Sequence, residues 1–442
     1  MPSLFDPNLI KAYAADKQAL ENTQIPIVTV FGTYREDVKG WHGLPEDESL
    51  SDIVLSRAHY SMAFGTAVQA WGGRINKTKA WLVDPTNYVS SRQWSQVSFT
   101  ETVGKTIARF PMLKTAKDLI DRFGRTKLPI LDSITPPLLF LTEKIHKPFL
   151  SFHIATGNIL LDHGKKVLQV ITDPHVRYDY LKHAGNPNLN YCVFDQGTKD
   201  ELLEKAKLAG LEINPNSIYV TGPPVDPRIV ACRDKKQPWR SGPLKLCLAT
   251  GGLGTNKYEL LQIIENLAPT LRQHGVKYQL LVYAGTHADI YHAVENMAKM
   301  QHIKLGKLDD QKAELRVIYH PQIVDANELL IKYGFKWADG FITKPSGDMA
   351  YDAVAAGCFL LTLKEWGEWE GVIRQRFEEL GISRQAVAEQ LPAQLISLTS
   401  AQHNTPSFVT RAMSQAQRLP SLYLHGAENI LKAYRKFVTS AS

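Results

Sequence analysis

Short apolar runs rich in Val, Ile and Leu recur along the chain, and stretches with helical spacing separate them. In the first half these runs cover 25–31, 79–84, 148–153, 167–173, 191–194 and 217–222. In the second half they cover 244–250, 278–285, 315–320, 340–343 and 358–363. Continuous apolar runs of this length are typical of parallel strands that helices cover on both faces. The pattern therefore predicts an α/β fold.

The length of the chain and a charged segment in its middle predict two domains. A chain of 442 residues exceeds what a single hydrophobic core usually holds. The segment 233–243, RDKKQPWRSGP, separates the two sets of runs and has the composition of an interdomain linker. We expect one domain over 1–235 and a second over 243–402, followed by a helical segment over 403–442.

The net charge of +7 favours an anionic partner, such as a nucleotide, a phospholipid surface or nucleic acid. No basic block and no aromatic-interleaved RNA-binding motif occurs in the sequence, so nucleic acid is not expected as a partner. The segment 103–150 mixes basic and apolar residues at partly helical spacing. It fits either an ordinary core helix or a basic amphipathic surface that contacts a membrane.

Neither a targeting signal nor a metal motif can be recognised. The first 20 residues are too polar for a signal peptide, and no run reaches the roughly 18 apolar residues of a membrane-spanning helix. We therefore expect a cytoplasmic protein. Cys192, Cys232, Cys247 and Cys358 show no metal-ligand or C-x-x-C spacing, which predicts buried, reduced thiols and no metal site.

A glycine-rich stretch, ATGGLGTNKYELLQII, follows the run at 244–250. Gly251, Gly252 and Gly254 form its loop, and Thr255 or Asn256 can cap the next helix. Unpaired N–H groups at a helix start favour a phosphate group. Tight turns also need glycine for backbone reasons alone, so a structural role stays open.

A second loop of this kind lies in FITKPSGDMAYDAVAAGCFLL, residues 341–361. A buried run leads into Lys-Pro-Ser-Gly, and Ser346 and Gly347 open an Ala-rich helix that carries Asp352. A carboxylate in this position can bind a ribose diol at the carboxyl edge of the sheet. The alternative is a helix with a surface aspartate.

Together the two loops resemble the nucleotide-sugar half of the GT-B glycosyltransferases. The resemblance is to the branch of plant monogalactosyldiacylglycerol synthases, bacterial diacylglycerol glucosyltransferases and the peptidoglycan-precursor GlcNAc transferase. That branch has the motif T-K-x-G-x-G-T-x-x-E followed by A-x-x-x-G. The residues on matching or closely equivalent positions are Thr343, Lys344, Asp352, Ala353 and Gly357.

The first half is similar to the same family. Residues 170–229 resemble the family's path from a V-T-D strand to a G-x-P-V turn, with Asp173 on the aspartate. The stretch 56–71 resembles the helix start G-G-G-H-R-A-S-A, with His59 on the histidine. The chain departs from the family in the three residues before His59, which are not glycines, and in a long insertion at 32–55.

The resemblance implies two Rossmann-like domains that face a central cleft, with the segment 403–442 packing back on the N-terminal domain. It also implies roles for individual residues. His59 is the expected general base, although Asp173 could orient or deprotonate the acceptor instead. The expected donor-binding residues are Gly251, Gly252, Gly254, Thr255, Gly285, Thr286, His287, Tyr319, His320, Ile323, Lys344, Ser346, Gly347, Asp352 and Glu370.

The implied activity is transfer of a hexosyl group from a nucleoside diphosphate sugar, most often UDP-linked, to a hydroxyl of a lipid or lipid-linked acceptor. The family pattern implies inversion, no metal and no cofactor besides the sugar nucleotide. The expected partners are thus a UDP-sugar, a lipid acceptor and an anionic membrane surface at the inner face of the cytoplasmic membrane. Two alternatives stay open: a UDP-sugar 2-epimerase-like enzyme, and a non-catalytic GT-B protein that binds a nucleotide or glycan.

Overall fold

The computed structural model describes residues 7–32, 53–109, 129–271, 277–401 and 405–440. Most of the insertion at 32–55, and residues 110–128 of the segment 103–150, lie outside these ranges. The chain divides into two compact units. Unit 1 combines Met1–Pro227 with Ser421–Ser442, and unit 2 is Arg228–Pro420.

Unit 1 is built on a six-stranded parallel sheet with the order β2-β1-β3-β4-β5-β6. Its strands are β1 Ile25–Val28, β2 Ala80–Val83, β3 Phe149–Ser151, β4 Val167–Val170, β5 Leu189–Val193 and β6 Ile218–Val220. After β2 the chain returns past β1 to begin β3. The strand order therefore reverses between β1 and β3.

Unit 2 also has a six-stranded parallel sheet, with the order β12-β11-β10-β7-β8-β9. Its strands are β7 Leu244–Ala249, β8 Tyr278–Gly285, β9 Leu315–Tyr319, β10 Gly340–Thr343, β11 Phe359–Thr362 and β12 Ser383–Gln385. The chain moves outward from β7 to β9 and then crosses to the other side of β7. The reversal here lies between β7 and β10.

Helices connect the strands in both units. In unit 1 they are Pro7–Asn22, Arg57–Trp71, Ser91–Arg109, Pro129–Thr142, Ile154–Asp162, Gln196–Leu208 and Gly426–Ser440. In unit 2 they are Lys257–Leu271, Ala288–Met300, Ile323–Leu330, Met349–Ala355, Glu368–Glu379, Leu391–Thr399 and Phe408–Ala416. A short helix, Pro227–Val230, spans the boundary in sequence, and a π-helical turn, Ile331–Phe335, follows Ile323–Leu330.

The α/β class and the parallel sheets predicted from the sequence are confirmed. Each predicted apolar run contains or overlaps a strand, because Val, Ile and Leu side chains on both faces are buried under the helices. The sequence analysis missed β12, whose residues Ser-Arg-Gln carry no apolar signal. Three of the four cysteines are buried as expected, Cys232 is only half-buried, and none forms a disulfide.

The last helix, Gly426–Ser440, belongs to unit 1. The hydroxyl of Tyr434 donates a hydrogen bond to the carbonyl of Pro148 at 2.7 Å. A Cβ atom at Gly222 would lie 1.8 Å from the carbonyl oxygen of Leu422, and one at Gly426 would lie 1.9 Å from that of Pro223. The two glycines thus allow the returning chain to pack directly on the β6 loop. By contrast, the helix Phe408–Ala416 packs in the core of unit 2.

Among the residues that the structure describes, every helix is too short or too polar to cross a membrane.

Candidate functional site

The loops that follow β7 and β10 meet at the carboxyl edge of the unit 2 sheet. These neighbouring strands flank the point where the strand order reverses. A Cβ atom at Gly251 would lie 2.8 Å from Cε of Lys344 and 3.0 Å from Oγ1 of Thr255. Glycine at 251 therefore allows the two loops to touch. Ligands of open α/β sheets bind at such a switch point.

The glycine-rich loop after β7 turns twice through left-handed backbone. Gly254 has a φ of 65° and Asn256 a φ of 64°, directly before the helix Lys257–Leu271. The amide of Asn256 donates to Glu259 at 2.7 Å, which holds the second turn. Gly252, which follows Gly251 and precedes both turns, is half-buried.

Two buried hydroxyl groups belong to the loop after β7 and to the end of β10. Thr255 is 4% exposed, and Thr343, the last residue of β10, is 1% exposed. Neither Oγ1 atom has a hydrogen-bond partner among the residues that the structure describes. Because buried polar atoms are normally hydrogen-bonded, these hydroxyls indicate a place for polar ligand atoms.

Lys344 forms a salt bridge beside these groups. Its Nζ lies 2.7 Å from Oε1 of Glu370, and Oε2 of Glu370 accepts the N–H of Trp366 at 2.6 Å. Glu370 is completely buried, whereas the Lys344 side chain keeps 17% exposure. Both oxygens of Glu370 thus contact protein groups, and the salt bridge ties the start of the helix Glu368–Glu379 to the loop after β10.

Ser346 shapes the start of the helix Met349–Ala355. Its hydroxyl donates to Oδ1 of Asp348 at 2.6 Å and accepts the N–H of Met349 at 3.2 Å. The carboxylate of Asp348 is 6% exposed and engaged by this hydroxyl. Asp352 lies in the first turn of the helix, 4% exposed, and Gly347 is buried beside Ser346.

The remaining predicted donor residues follow β8 and β9 at the same edge of the sheet. Gly285 ends β8 with a φ of 60°, and its carbonyl accepts the N–H of His320 at 3.1 Å. Thr286 and His287 are both 4% exposed. Tyr319 stacks on Tyr291 with ring centroids 5.1 Å apart. Ile323 is 2% exposed at the start of its helix, so its side chain packs inside.

In unit 1, two histidines meet where the strand order reverses. The rings of His59 and His153 have centroids 4.7 Å apart and stand at 83° to each other. Ser56 caps the helix that carries His59, accepting the N–H of His59 at 3.4 Å. His153 follows β3 and caps the next helix, because its Nδ1 accepts the N–H of Ala155 at 3.1 Å. Neutral His153 therefore carries its proton on Nε2.

Asp173 follows β4, which is two strands away from β1 in the sheet; the chain reaches the His59 helix after β1. It is half-buried, and its charge acts on Arg177. Burial lowers the pKa of the Arg177 guanidinium, but interactions with Tyr180 and Asp173 outweigh this effect and raise the pKa. In the same loop, His175 binds Glu201 at 2.9 Å. Asp173 is thus held in a structured loop at the carboxyl edge.

Asp84, which sequence reasoning did not select, anchors the chain as it leaves β1. Its Oδ2 accepts the N–H groups of Phe31 and Gly32 at 2.8 and 2.9 Å. Its Oδ1 accepts the N–H and hydroxyl of Thr86 at 2.8 and 2.6 Å. Burial raises the pKa of Asp84 to about 6, although these hydrogen bonds act to lower it. This carboxylate fixes the chain that leads towards the His59 helix.

Among the described residues, no three His, Cys, Asp or Glu side chains are close enough together to hold a metal ion.

No family model and no curated protein sequence matches the chain significantly. Solved structures match it over almost its whole length. The UDP-GlcNAc 2-epimerase from Neisseria meningitidis bound to UDP-GlcNAc is 11% identical, with a TM-score of 0.51 over 93% of this chain and 100% of that one. The S. aureus MnaA–UDP co-structure is 12% identical, with a TM-score of 0.50 over 94% and 97%.

A third match is MurG of Acinetobacter baumannii, 12% identical, with a TM-score of 0.46 over 92% of this chain and 99% of that one. At such low identity these likenesses concern the fold. The two parallel sheets with interleaved helices are those of the two-domain GT-B fold, which confirms the fold expected from the two loops.

Proposed function

We propose that this protein is an enzyme that uses a UDP-sugar, bound at the carboxyl edge of the unit 2 sheet. The observation that carries the proposal is the contact between the β7 and β10 loops at the switch point. There Gly251 leaves space for the side chains of Lys344 and Thr255, and two buried hydroxyls, of Thr255 and Thr343, lack partners in the described chain. A phosphate-rich ligand suits this combination of backbone N–H groups, hydroxyls and one cation.

The proposed roles follow from the positions of the groups. The glycine-rich loop and Lys344 bind the diphosphate, and Asp352 binds the ribose diol. The nucleobase lies near the ends of β8 and β9, beside Tyr319 and His320. Glu370 acts on the donor through Lys344, since both its oxygens contact protein groups.

The proposed reaction is hexosyl transfer with inversion to a hydroxyl of a lipid or lipid-linked acceptor. The acceptor oxygen attacks the anomeric carbon, the bond from that carbon to the diphosphate breaks, and UDP leaves. His59 takes the acceptor proton, or Asp173 does so in its place. Lys344 and the loop N–H groups stabilise the charge that develops on the diphosphate.

A UDP-sugar 2-epimerase is the second candidate. It is favoured by the match to the N. meningitidis UDP-GlcNAc 2-epimerase, whose fold overlaps this chain with a TM-score of 0.51. An epimerase converts its sugar nucleotide without an acceptor, whereas a transferase needs one. Proton NMR of UDP-GlcNAc incubated with the protein alone separates the two: appearance of the 2-epimer supports the epimerase, and UDP release only with a lipid acceptor supports the transferase.

Calorimetric titration tests the shared part of the proposal. We expect wild-type protein to bind UDP and UDP-sugars more tightly than GDP. Asp352→Ala removes a charged hydrogen-bond acceptor worth about 1.5–3 kcal/mol, so UDP affinity falls roughly tenfold or more. Asp200→Ala, on an exposed helix of unit 1, is the matched control and keeps wild-type affinity. Absence of binding by any nucleotide contradicts the proposal.

A further inference from the structure

A buried arginine lies on the second face of the unit 2 sheet. Arg316 belongs to β9 and is only 1% exposed. Its neighbours in the strand, Leu315 and Val317, join the hydrophobic core on the opposite face. Arg316 is therefore on the face away from that core, and a buried guanidinium there requires compensation for its lost hydration.

The protein supplies only part of that compensation. Nη1 of Arg316 donates to the carbonyl of Leu308 at 2.7 Å. The guanidinium carbon lies 4.3 Å from the centre of the Trp337 ring, a cation–π contact. Burial lowers the pKa of the guanidinium, while Cys247 and Asp310 act in the opposite direction. One carbonyl and one aromatic face do not neutralise a full positive charge.

Three hydrogen-bond donors of this pair have no acceptor. Nε and Nη2 of Arg316 and Nε1 of Trp337 are buried without a hydrogen-bond partner in the described part of the chain. The acid that acts on Arg316, Asp310, is exposed, and its Oδ1 accepts the N–H of Lys312 at 3.0 Å. Each buried donor without a partner destabilises the folded state, and the unpaired charge does so more strongly.

The missing partner must accept hydrogen bonds and carry negative charge. The side chains of Arg316 and Trp337 are hydrogen-bond donors only. A ligand that donates hydrogen bonds would therefore find no acceptor on them. Lys236, the other buried cation that acts on Cys247, already donates to the carbonyls of Phe335 and Ala338 and to the sulfur of Cys358. Only the guanidinium of Arg316 therefore offers unused charged donors, and a monovalent, weakly hydrated ion fits it better than a phosphate, which needs several positive groups. A water molecule could satisfy the donors but not the charge.

We propose that Arg316 and Trp337 hold a small monovalent anion of halide size beneath the unit 2 sheet. This site is separate from the proposed nucleotide site, because it involves the second residue of β9 rather than the loops at the carboxyl edge. The anion stabilises unit 2 and is not consumed in any reaction.

Thermal unfolding tests the proposal in the full-length protein. Sodium chloride replaces sodium gluconate at constant ionic strength, so that a small anion replaces one too large for the site. We expect the midpoint to rise by about 2–4 °C between roughly 5 and 200 mM chloride, since a ligand that binds only the folded state stabilises it. An equal midpoint in both salts overturns the proposal.

Variants separate anion binding from general salt effects. Arg316→Met keeps the side-chain length and removes the charge, and we expect it to fold and to lose the chloride dependence. Trp337→Phe keeps an aromatic ring but removes the indole N–H donor, so we expect its chloride response to weaken several-fold. Arg384→Met is the control, because Arg384 also stacks on an aromatic ring, that of Phe408, but is exposed. Retention of the chloride response in Arg316→Met contradicts the site.

Crystals grown with bromide in place of chloride give a direct readout. An anomalous peak within hydrogen-bonding distance of Nε or Nη2 of Arg316 is the expected result. A water molecule in that position, with no anomalous signal, means that the donors bind only water and that the anion proposal is wrong.

Discussion

The Nζ atom of Lys344 lies 2.7 Å from Oε1 of Glu370, although 26 residues separate them in sequence. The resemblance to the glycosyltransferases implied that Glu370 contacts the donor. Its carboxylate is fully buried between Lys344 and the N–H of Trp366. We therefore predict that Glu370 acts on the donor as a positioning residue, by orienting the cation of the proposed diphosphate site.

Replacing Glu370 by Gln tests this role. The amide cannot both neutralise Lys344 and accept the N–H of Trp366, so we expect a loss of about 3 kcal/mol in the free energy of unfolding. UDP affinity falls as well, because Lys344 loses its orientation. Urea unfolding and calorimetric titration measure the two effects. Glu365→Gln, which breaks a partly exposed pair with Arg374, is the control. Equal losses in both variants contradict the role of Glu370.

Gly251→Ala separates binding from folding. The added Cβ meets the side chain of Lys344 at 2.8 Å, not its backbone, so Lys344 moves and the loop remains folded. We expect UDP affinity to fall at least about tenfold, with a stability change below about 1 kcal/mol. Gly371→Ala adds a methyl group where no atom lies within 4 Å and keeps wild-type affinity. Unchanged binding in Gly251→Ala refutes the proposed position of the diphosphate.

Asp84 makes stability depend on pH in a predictable direction. Its folded pKa of about 6 lies above the value of 3.8 of an unperturbed aspartate, so the folded state binds the proton more tightly. Its contribution to the free energy of unfolding therefore falls by about 2 kcal/mol as the pH rises from about 4 to about 6. Urea unfolding of wild type and Asp84→Asn between these pH values isolates this contribution. A difference between the two proteins that does not change with pH contradicts it.

Asp84→Asn also tests the anchor itself. Four donor groups point at the two carboxylate oxygens of Asp84. In the Asn variant an NH₂ group replaces one of these oxygens and repels the two donors that point at it. We expect the variant to be less stable than wild type by about 2–3 kcal/mol near pH 7. Asp132→Asn, at the start of an unrelated helix, is the control. If Asp84→Asn is as stable as its control, the carboxylate does not anchor the loop.

His59→Ala should reduce acceptor glycosylation by roughly 10²–10⁴-fold while UDP affinity stays unchanged, because a general base contributes to the chemical step. UDP release in the presence of a lipid acceptor measures the rate, and calorimetry measures binding. His146→Ala, an exposed histidine in unit 1, is the control. If Asp173→Asn abolishes the reaction and His59→Ala does not, Asp173 is the base.

The strands were predictable because their signal is local. The limits of β8 and β10 agree with the predicted runs, which are continuous and bounded by glycine or by the Lys-Pro turn. Residues close in space but distant in sequence were not predictable. His153 follows an apolar strand like many capping residues, and only the reversal of strand order brings it beside His59.

The same limit applies to buried polar pairs. Asp84 is followed by Pro85 and Thr86, a sequence typical of a helix start. Its role as a helix cap can therefore be predicted from the sequence alone. Its bonds to Phe31 and Gly32 depend on the pairing of β1 with β2, which local patterns do not specify. For Glu370, the acidic stretch around it fits a solvated loop as well as a buried salt bridge.

Unit 1 is discontinuous in sequence, and its final segment packs closely on the rest of the unit at Gly222 and Gly426. During translation this helix leaves the ribosome only after all of unit 2 has been made. Unit 2, one continuous stretch, therefore has its complete set of residues first, although its synthesis starts second. A circular permutant that joins residues 1 and 442 and opens between Pro420 and Ser421 would make unit 1 continuous and place it before unit 2.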